Sequence, residues 1–405
     1  MRILLVSTYD LGRQPFGLAS PAAWLRRAGG SVEWVGASPH PLTGAQNRQA
    51  ALVAFYLPMH TATRLAGPLI DRSRTANPGV TIAAYGLYAP LNEAWLRERG
   101  VTHVLGPEAE GELVEIAQAE ACALRESRPD ADARAKAHAL RSVGDRQSVD
   151  RSAEPVARGL QTPRPEARIP RLAFIQPDRS TLPPLKRYAA LQMPDGTRRV
   201  AGSTDATRGC KHLCRHCPIV PVYQGAFRAI PLDVVLADVR AQVAAGAEHI
   251  SFGDPRFFNG PRHAQRLVER LAAEFPRITY DVTIKIEHLL QHAALLPLLR
   301  ETGCLFVTSA VESIDDRVLA RVRKGHTRAR FLRGVDLCRA AGVTLSPTFL
   351  PFTPWTTLAG YVELLEQLES VGLVDAIAPI QLGIRLLVTA ESALLELPDL
   401  RAGAQ

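Results

Sequence analysis

Cysteine is scarce in this chain, with 6 among 405 residues, which excludes the dense disulfide framework of small secreted proteins. No window reaches the roughly 18 uninterrupted apolar residues of a membrane-spanning helix, since the most apolar late segment, IAPIQLGIRLLV, contains Arg385. The start, MRILLVSTYD, lacks the basic region, long apolar segment and cleavage site of a secretory signal. We therefore expect a cytoplasmic protein that does not contact membranes.

The composition is that of an ordinary folded chain, with 46% hydrophobic and 22% charged residues. The 48 Lys and Arg exceed the 40 Asp and Glu, which gives a net charge of +8. About half of this excess lies between Cys122 and Arg171, a stretch without aromatic side chains. The remainder is only mildly basic, so charge does not favour nucleic-acid binding.

Residues 1–121 alternate apolar, strand-like runs with segments of helical period. The strand-like runs are RILLVST, VEWVGA, ALVAFYL, VTIAAYG and THVLG. Gly30, Gly79 and Gly100 follow or end helical stretches, where a left-handed cap costs glycine little. This pattern predicts a doubly wound, flavodoxin-like α/β sheet whose ligands lie beyond the carboxyl ends of its strands.

Between residues 122 and 171 the hydrophobic period disappears, and Ala, Arg, Asp, Ser and Pro predominate. Too few large apolar side chains are present to offset the entropy of ordering. We predict a linker there, with one exposed helix over ARAKAHALRSV. Residues 172–198 are a Pro-rich lead-in, extended or turned because a residue before proline avoids the helical conformation.

A second domain is predicted over residues 199–405, where apolar runs again alternate with helical segments. Its six strand-like runs are RVAGSTDATRG, HISFGD, ITYDVTIK, LFVTSAVES, TLSPTFL and DAIAPIQLGIRLLV. Six strand–helix units correspond to a partial (β/α)6 barrel of the TIM type, with catalytic groups at the carboxyl ends of the strands.

The strongest chemical signal is TRGCKHLCRHCP, in which Cys210, Cys214 and Cys217 have C-x3-C-x2-C spacing after the first barrel strand. A [4Fe-4S] cluster normally takes four thiolates, so three would leave one iron open to a non-protein ligand. A zinc ion bound by these thiolates and by His212 or His216 is the alternative. Because zinc ligands usually come as two spaced pairs, a local triplet favours the cluster.

This triplet on a barrel loop resembles the radical S-adenosylmethionine (SAM) superfamily. The resemblance implies that the methionine part of SAM chelates the open iron. Reduction of the cluster then cleaves SAM to a 5′-deoxyadenosyl radical, which abstracts hydrogen from a substrate. The order of flavodoxin-like domain, linker, Pro-rich lead-in and cysteine triplet is similar to the branch with an N-terminal cobalamin-binding-like domain.

The resemblance also implies SAM-binding residues. His216 occupies the position of an aromatic residue that packs near the adenine. In SFGDPRFF, Gly253 and Asp254 match a Gly-Gly-Glu-like segment that binds the methionine amino group, although Asp254 is also a common turn former before proline. In TSAVES, Glu312 and Ser313 stand where the family holds the ribose.

Two further segments resemble the family less closely. RVLARVRKG matches a family segment that ends in Lys324 and Gly325, but such a charge run is also typical of a solvated helix face. FLPFTPWTTLAG offers Pro351 with Thr356 or Thr357 for a Gly-x-Pro-Gly-x-Thr turn without its glycines.

Cobalamin is the open question for the first domain. None of the eleven histidines has Asp two residues earlier, and the loop after the first strand contains no histidine, so the Asp-x-His-x-x-Gly cobalt-binding motif is absent. His40 we interpret as a surface-loop residue. Cobalamin would thus bind without that ligand and would favour methyl transfer; a vestigial domain is the alternative. No Gly-x-Gly-x-x-Gly or phosphate-loop motif supports NAD or ATP.

Cys122, Cys304 and Cys338 stand alone, so no second cluster is expected. GCKHLCRHCPIVPVYQGAFR and PIQLGIRLLVTAESALLELPD resemble a little-characterised subgroup that often ends in Cys- or selenocysteine-Ala-Glu-Pro, a tail not found before Gln405. The family resemblance implies a flavodoxin- or ferredoxin-type electron donor and a small-molecule or peptide substrate. Two other functions stay open: a zinc-stabilised binding module, and a cluster-bearing regulator without catalysis.

Overall fold

The computed structural model describes residues 1–36, 43–126, 169 and 172–401. His40 and the helix predicted over ARAKAHALRSV lie outside the described residues. Among those described, no helix is both long and apolar enough to span a bilayer.

The first domain contains a five-stranded parallel sheet with the order β2-β1-β3-β4-β5. Its strands are β1 (Arg2–Ser7), β2 (Ser31–Gly36), β3 (Leu52–Tyr56), β4 (Thr81–Tyr85) and β5 (His103–Val104). The central strands are nearly continuous apolar runs because helices cover both faces of the sheet. This is the flavodoxin order, so the predicted fold of the domain is confirmed.

The helices of this domain are α1 (Phe16–Arg27), α2 (Gly44–Gln49), α3 (His60–Ala76), α4 (Glu93–Glu98) and α5 (Glu110–Glu126). Helix α2 was not predicted; it begins with a capping box in which Thr43 and Gln46 bond to each other's backbone N–H. Helix α5 continues past residue 121, so Cys122 lies on a helix and not in a linker.

The second domain is a curled, six-stranded sheet with the order β13-β12-β11-β10-β7-β6, beside a small hairpin of β8 and β9. The strands are β6 (Ala190–Gln192), β7 (Arg198–Thr204), β8 (Thr207–Gly209), β9 (Phe227–Ala229), β10 (His249–Phe252), β11 (Thr279–Thr283), β12 (Cys304–Glu312) and β13 (Thr344–Phe349). The helices are α6 (Ile219–Tyr223), α7 (Leu232–Ala244), α8 (Pro261–Glu274), α9 (Ile286–Gln291), α10 (Leu296–Glu301), α11 (Asp316–Arg321), α12 (Arg328–Ala340), α13 (Leu358–Ser370) and α14 (Pro398–Arg401). The predicted partial barrel is confirmed.

The predicted sixth strand, DAIAPIQLGIRLLV, is wrong. This segment forms the 3-10 turns Val374–Ala376 and Pro379–Leu382, and an isolated bridge joins its Arg385 to Phe352, which lies outside the strands of the sheet. Pro379 begins the second of these turns, at the position where a helical turn accepts proline most readily. The sixth strand of the sheet is instead β6, which comes from the Pro-rich lead-in and pairs antiparallel with β7.

The lead-in also joins the two domains. Gln14 Nε2 donates to the carbonyl oxygen of Pro183 at 2.9 Å, and the N–H of Ala189 donates to the carbonyl oxygen of Gly12 at 2.8 Å. Ser203 Oγ, on β7, donates to the carbonyl oxygen of Gln14 at 3.0 Å. The carboxyl edge of the first sheet therefore lies against the start of the half-barrel.

Candidate functional site

The cysteine loop, residues 210–217, lies between β8 and α6. Cys210 and Cys214 are buried, Cys217 is half-buried, and all three are free thiols. The Cys210 N–H donates to the carbonyl oxygen of Ala226 at 3.1 Å, and the Cys217 N–H donates to the carbonyl oxygen of Cys214 at 3.2 Å. Main-chain bonds thus hold the loop in a compact shape at the carboxyl edge of the half-barrel.

Gly209 sets the entry into this loop. Its φ is +78°, and a Cβ atom there would lie 2.5 Å from the carbonyl oxygen of Ala226 and 2.5 Å from the Tyr223 ring. Glycine is the residue that tolerates both this left-handed backbone and this close approach. The position of Cys210 therefore depends on the residue before it.

The three thiols lie close enough to interact electrostatically. Burial raises the pKa of Cys217, neighbouring Cys214 and Cys210 raise it further, and the Arg256 guanidinium acts in the opposite direction. Thiolates bound to metal are anionic, so a nearby cation favours that state. A reduced, partly buried thiol triplet facing an arginine fits the ligand set of an iron–sulfur cluster.

Zinc and an iron–sulfur cluster require different spacings of their donor atoms. Among the residues that the structure describes, no group of three or more His, Cys, Asp or Glu side chains is arranged to hold a single metal ion. A tetrahedral zinc site needs its donors within about 2.3 Å of one point. A cluster distributes its thiolates over separate iron atoms and so accepts a wider spacing.

Glu312 lies at the end of β12, where a bulge in its pairing with β13 and a φ of +73° turn the residue into the site. Its Oε1 accepts from Lys324 Nζ at 2.7 Å and from His216 Nε2 at 3.1 Å. Burial alone would raise the pKa of Glu312, but the Lys324 charge and the His216 hydrogen bond hold it well below its usual range. Glu312 is therefore a buried, ionised acceptor beside the cysteine loop.

Lys324 does not belong to a solvated helix face. It follows α11, and its side chain is completely buried. The adjoining Gly325 has a φ of +83°, and a Cβ there would lie 2.6 Å from Glu287 Oε2 and 2.9 Å from Lys285 Nζ. The family-like segment thus packs directly into the site.

Asp254, predicted to bind the methionine amino group or to form a turn, is buried and bonded within the protein. Its two carboxylate oxygens accept from the Ala206 N–H at 2.9 Å and from Thr207 Oγ1 at 2.5 Å. Burial and the neighbouring Asp205 charge raise its pKa to about 7. Asp254 thereby holds the turn between β7 and β8, while Gly253 is exposed and lines the adjacent cavity.

The other hydroxyl side chains predicted to lie in the site form hydrogen bonds with residues close to them in sequence. Ser313 Oγ accepts from the Asp315 N–H at 3.0 Å, and Thr357 Oγ1 caps α13 by accepting from the Gly360 N–H at 3.1 Å. Thr356 Oγ1 shares a hydrogen bond with the Thr353 hydroxyl at 2.9 Å.

One cluster of side chains at this edge was not predicted. Lys285, buried directly after β11, lies 2.6 Å from Glu287 Oε2 and 3.1 Å from His212 Nδ1. His212 Nε2, on the cysteine loop, is 2.8 Å from His288 Nε2. Burial and the Lys285 charge lower the pKa of His212 to about 4. The only sequence signal was the position of Lys285 at the carboxyl end of a strand.

A cavity separates the carboxyl edge of the first sheet from the cysteine loop, with about 760 Å³ of empty space that is partly open to solvent. The first domain contributes Phe16, Tyr56, Tyr85 and Glu110, among others, and the second contributes Asp205, Arg208, Gly253 and Tyr223. Its position agrees with the prediction that ligands lie beyond the carboxyl ends of the strands.

The chain was compared with known proteins. Residues 205–368 match the family model of the radical SAM superfamily. The ribosomal protein uS12 methylthiotransferase RimO of Syntrophotalea carbinolica is 29% identical over 188 residues, which are 43% of this chain and 41% of the relative. The tRNA-2-methylthio-N(6)-dimethylallyladenosine synthase of Fusobacterium nucleatum is 25% identical over 189 residues, 42% of this chain and 41% of that enzyme. The matches therefore span about two fifths of these relatives.

Solved structures match over more of the chain. The radical SAM methyltransferase TsrM from Kitasatospora setae, with cobalamin and a [4Fe-4S] cluster bound, has a TM-score of 0.64 at 18% identity and covers 92% of this chain and 70% of its own. The cobalamin-dependent radical SAM enzyme OxsB, with aqua-cobalamin bound, has a TM-score of 0.62 at 17% identity and covers 97% of this chain and 54% of its own. The TM-scores show a shared fold, and at these identities they show the fold alone.

Proposed function

We propose that this chain is a radical SAM enzyme, since residues 205–368 match the radical SAM family model, and that Cys210, Cys214 and Cys217 ligate its [4Fe-4S] cluster. S-adenosylmethionine completes the coordination of the fourth iron. The observation that carries this proposal is the presence of three free thiols on one loop, close to the Arg256 guanidinium.

The cluster and SAM supply a 5′-deoxyadenosyl radical when both are bound, and cobalamin supplies a methyl group. The chain's own residues bind these groups and orient them. Glu312, kept ionised by Lys324 and His216, accepts hydrogen bonds from ribose hydroxyls, with Ser313 next to it. Gly253 allows the main chain to approach the ligand, and Asp254 holds the β7–β8 turn on which the cysteine loop is mounted.

We further propose that the cavity between the domains binds cobalamin and that the enzyme transfers a methyl group to an unreactive carbon. Aromatic and aliphatic side chains form most of the cavity wall, as a broad corrin ring requires. No histidine is among the described residues that line it, so a corrinoid would receive no imidazole ligand from this wall. TsrM and OxsB, which share the fold, have cobalamin bound.

Methylthiolation, the activity named for the curated relatives, has less support. The cysteines outside the loop lie on α5, on β12 and on α12, as Cys122, Cys304 and Cys338. Cys304 and Cys338 are buried in the second domain and Cys122 is exposed on the first, so these three do not form one ligand set for a second cluster.

Metal content and SAM cleavage test the proposal together. Protein produced with cobalamin and purified without oxygen should contain about four irons per chain and cobalt near stoichiometry, with little zinc. Cys214→Ala should lose both iron and 5′-deoxyadenosine formation with dithionite as reductant, whereas the core variant Cys338→Ala should keep both. A Cys214→Ala protein that still cleaves SAM would refute the cluster assignment, and iron without cobalt would refute the cobalamin assignment alone.

A further inference from the structure

The wall of the interdomain cavity contains a buried ion pair. Arg208, on β8, donates through Nη2 to Glu110 Oε1 at 2.7 Å, and Glu110 begins α5 of the first domain. Ser20 Oγ donates to the same carboxylate oxygen at 2.6 Å. The rings of Phe16 and Phe174 flank the guanidinium, with centroids 5.4 and 5.3 Å from its central carbon.

Each member of this pair retains one polar atom without a partner. Arg208 Nη1 and Glu110 Oε2 are both buried and have no hydrogen-bond partner. Arg208 as a whole is 8% exposed and Glu110 is 2% exposed. Buried charged groups normally satisfy all their hydrogen bonds, because an unmet one carries the full desolvation penalty. Both residues line the cavity. The pair therefore holds one unmet donor and one unmet acceptor beside the cavity.

A primary carboxamide complements such a pair. Its oxygen can accept from the guanidinium while its N–H donates to the carboxylate. A carboxylate could satisfy Arg208 but has no donor and would be repelled by Glu110. Corrin rings carry primary carboxamide side chains around their rim, and the rest of this wall is largely aromatic and aliphatic.

We propose that Arg208 and Glu110 recognise a side-chain carboxamide of the corrinoid, an inference that rests on the proposed binding of cobalamin. The pair bridges the two domains, so one residue from each domain binds the same carboxamide of the corrinoid. Arg208 and Glu110 are then specificity residues of the cofactor site.

The test uses hydroxocobalamin and its isomeric monocarboxylic acids, in each of which one ring carboxamide has been hydrolysed. Binding to the full-length, cluster-loaded protein is measured by equilibrium dialysis with detection of corrinoid absorbance. One isomer should bind at least about tenfold more weakly than hydroxocobalamin, because it loses a charge-assisted hydrogen bond and gains a repulsion. This comparison needs no variant and so does not depend on any variant folding.

Glu110→Gln should reduce the penalty of that same isomer, because a glutamine amide can donate to its carboxylate. Glu115→Gln, an exposed change on the same helix, should leave the order of affinities unchanged. Equal binding of hydroxocobalamin and every acid would overturn the carboxamide inference while cobalamin binding stands. Failure of all corrinoids to bind would overturn both.

Discussion

Replacing Lys324 by methionine tests the buried ion pair beside the cysteine loop. Lys324 is completely buried and lies 2.7 Å from Glu312 Oε1, so its loss leaves that carboxylate with His216 alone at 3.1 Å. Leaving one member of a buried pair uncompensated costs about 3–5 kcal/mol. For a domain of roughly 200 residues, each kcal/mol lowers the melting temperature by about 2–4 °C. We therefore expect Lys324→Met to melt about 6–20 °C below the wild type.

The size of this effect should depend on pH. In the wild type, the pKa of Glu312 is lower when folded than when unfolded, so its contribution to stability is present above the unfolded pKa and is lost as the pH falls through the folded value. In Lys324→Met, burial raises the folded pKa above the unfolded one, so stability is lost as the pH rises. The difference in melting temperature should widen from about pH 5 to about pH 8.

Thermal unfolding of cluster-loaded protein, followed by circular dichroism without oxygen, measures both effects. Lys186→Met, an exposed change, is the matched control and should melt with the wild type. The double variant Lys324→Met/Glu312→Gln removes both charges and should recover much of the loss. The reasoning is refuted if Lys324→Met melts within about 2 °C of the wild type, or if the double variant is as unstable as the single one.

Three other outcomes are expected. Gly209→Ala should lose most of its iron by elemental analysis, because its Cβ would lie 2.5 Å from the Ala226 carbonyl oxygen, whereas Gly246→Ala, with a φ of +94° but open space, should keep it. Burial raises the pKa of Asp205 to about 6 and that of Asp254 to about 7, so both stabilise the fold below about pH 4 and this contribution is lost as the pH rises. Asp205→Asn should make the urea concentration at the unfolding midpoint depend less on pH between about pH 4 and 7. A pH dependence equal to that of the wild type would contradict this. Chelation of the iron should make the loop thiols reactive to a maleimide by mass spectrometry while the core thiols stay protected.

The sequence predicted the strands of the first sheet because each is a buried apolar run closed by a helix. Helix α2 escaped prediction since GAQNRQ has no apolar period; its one signal was the spacing of Thr43 and Gln46 in a capping box. In DAIAPIQLGIRLLV, by contrast, composition resembled a strand, but the segment forms 3-10 turns, the second of which begins at Pro379.

At the site, the local spacing of Cys210, Cys214 and Cys217 predicts a ligand set, and the structure holds these three free thiols on one loop. The sequence could not predict the environment of Lys324, because a lysine in a charge run is usually solvated and its partner Glu312 comes from another strand. The sequence could not predict the unbonded atoms of Arg208 and Glu110 either, since the contact between the domains brings these two residues together.

The contact between the two domains is extensive enough that they should stay together without the covalent connection. Arg208 with Glu110 and Arg228 with Glu108 pair across the boundary at 2.7 and 2.8 Å, and Gln14 bonds to the lead-in. Each half in isolation would expose these charges and lose their partners. We expect two fragments, severed between residues 126 and 169 and co-expressed, to purify together, as though the chain were an assembly of two subunits that happen to be translated as one.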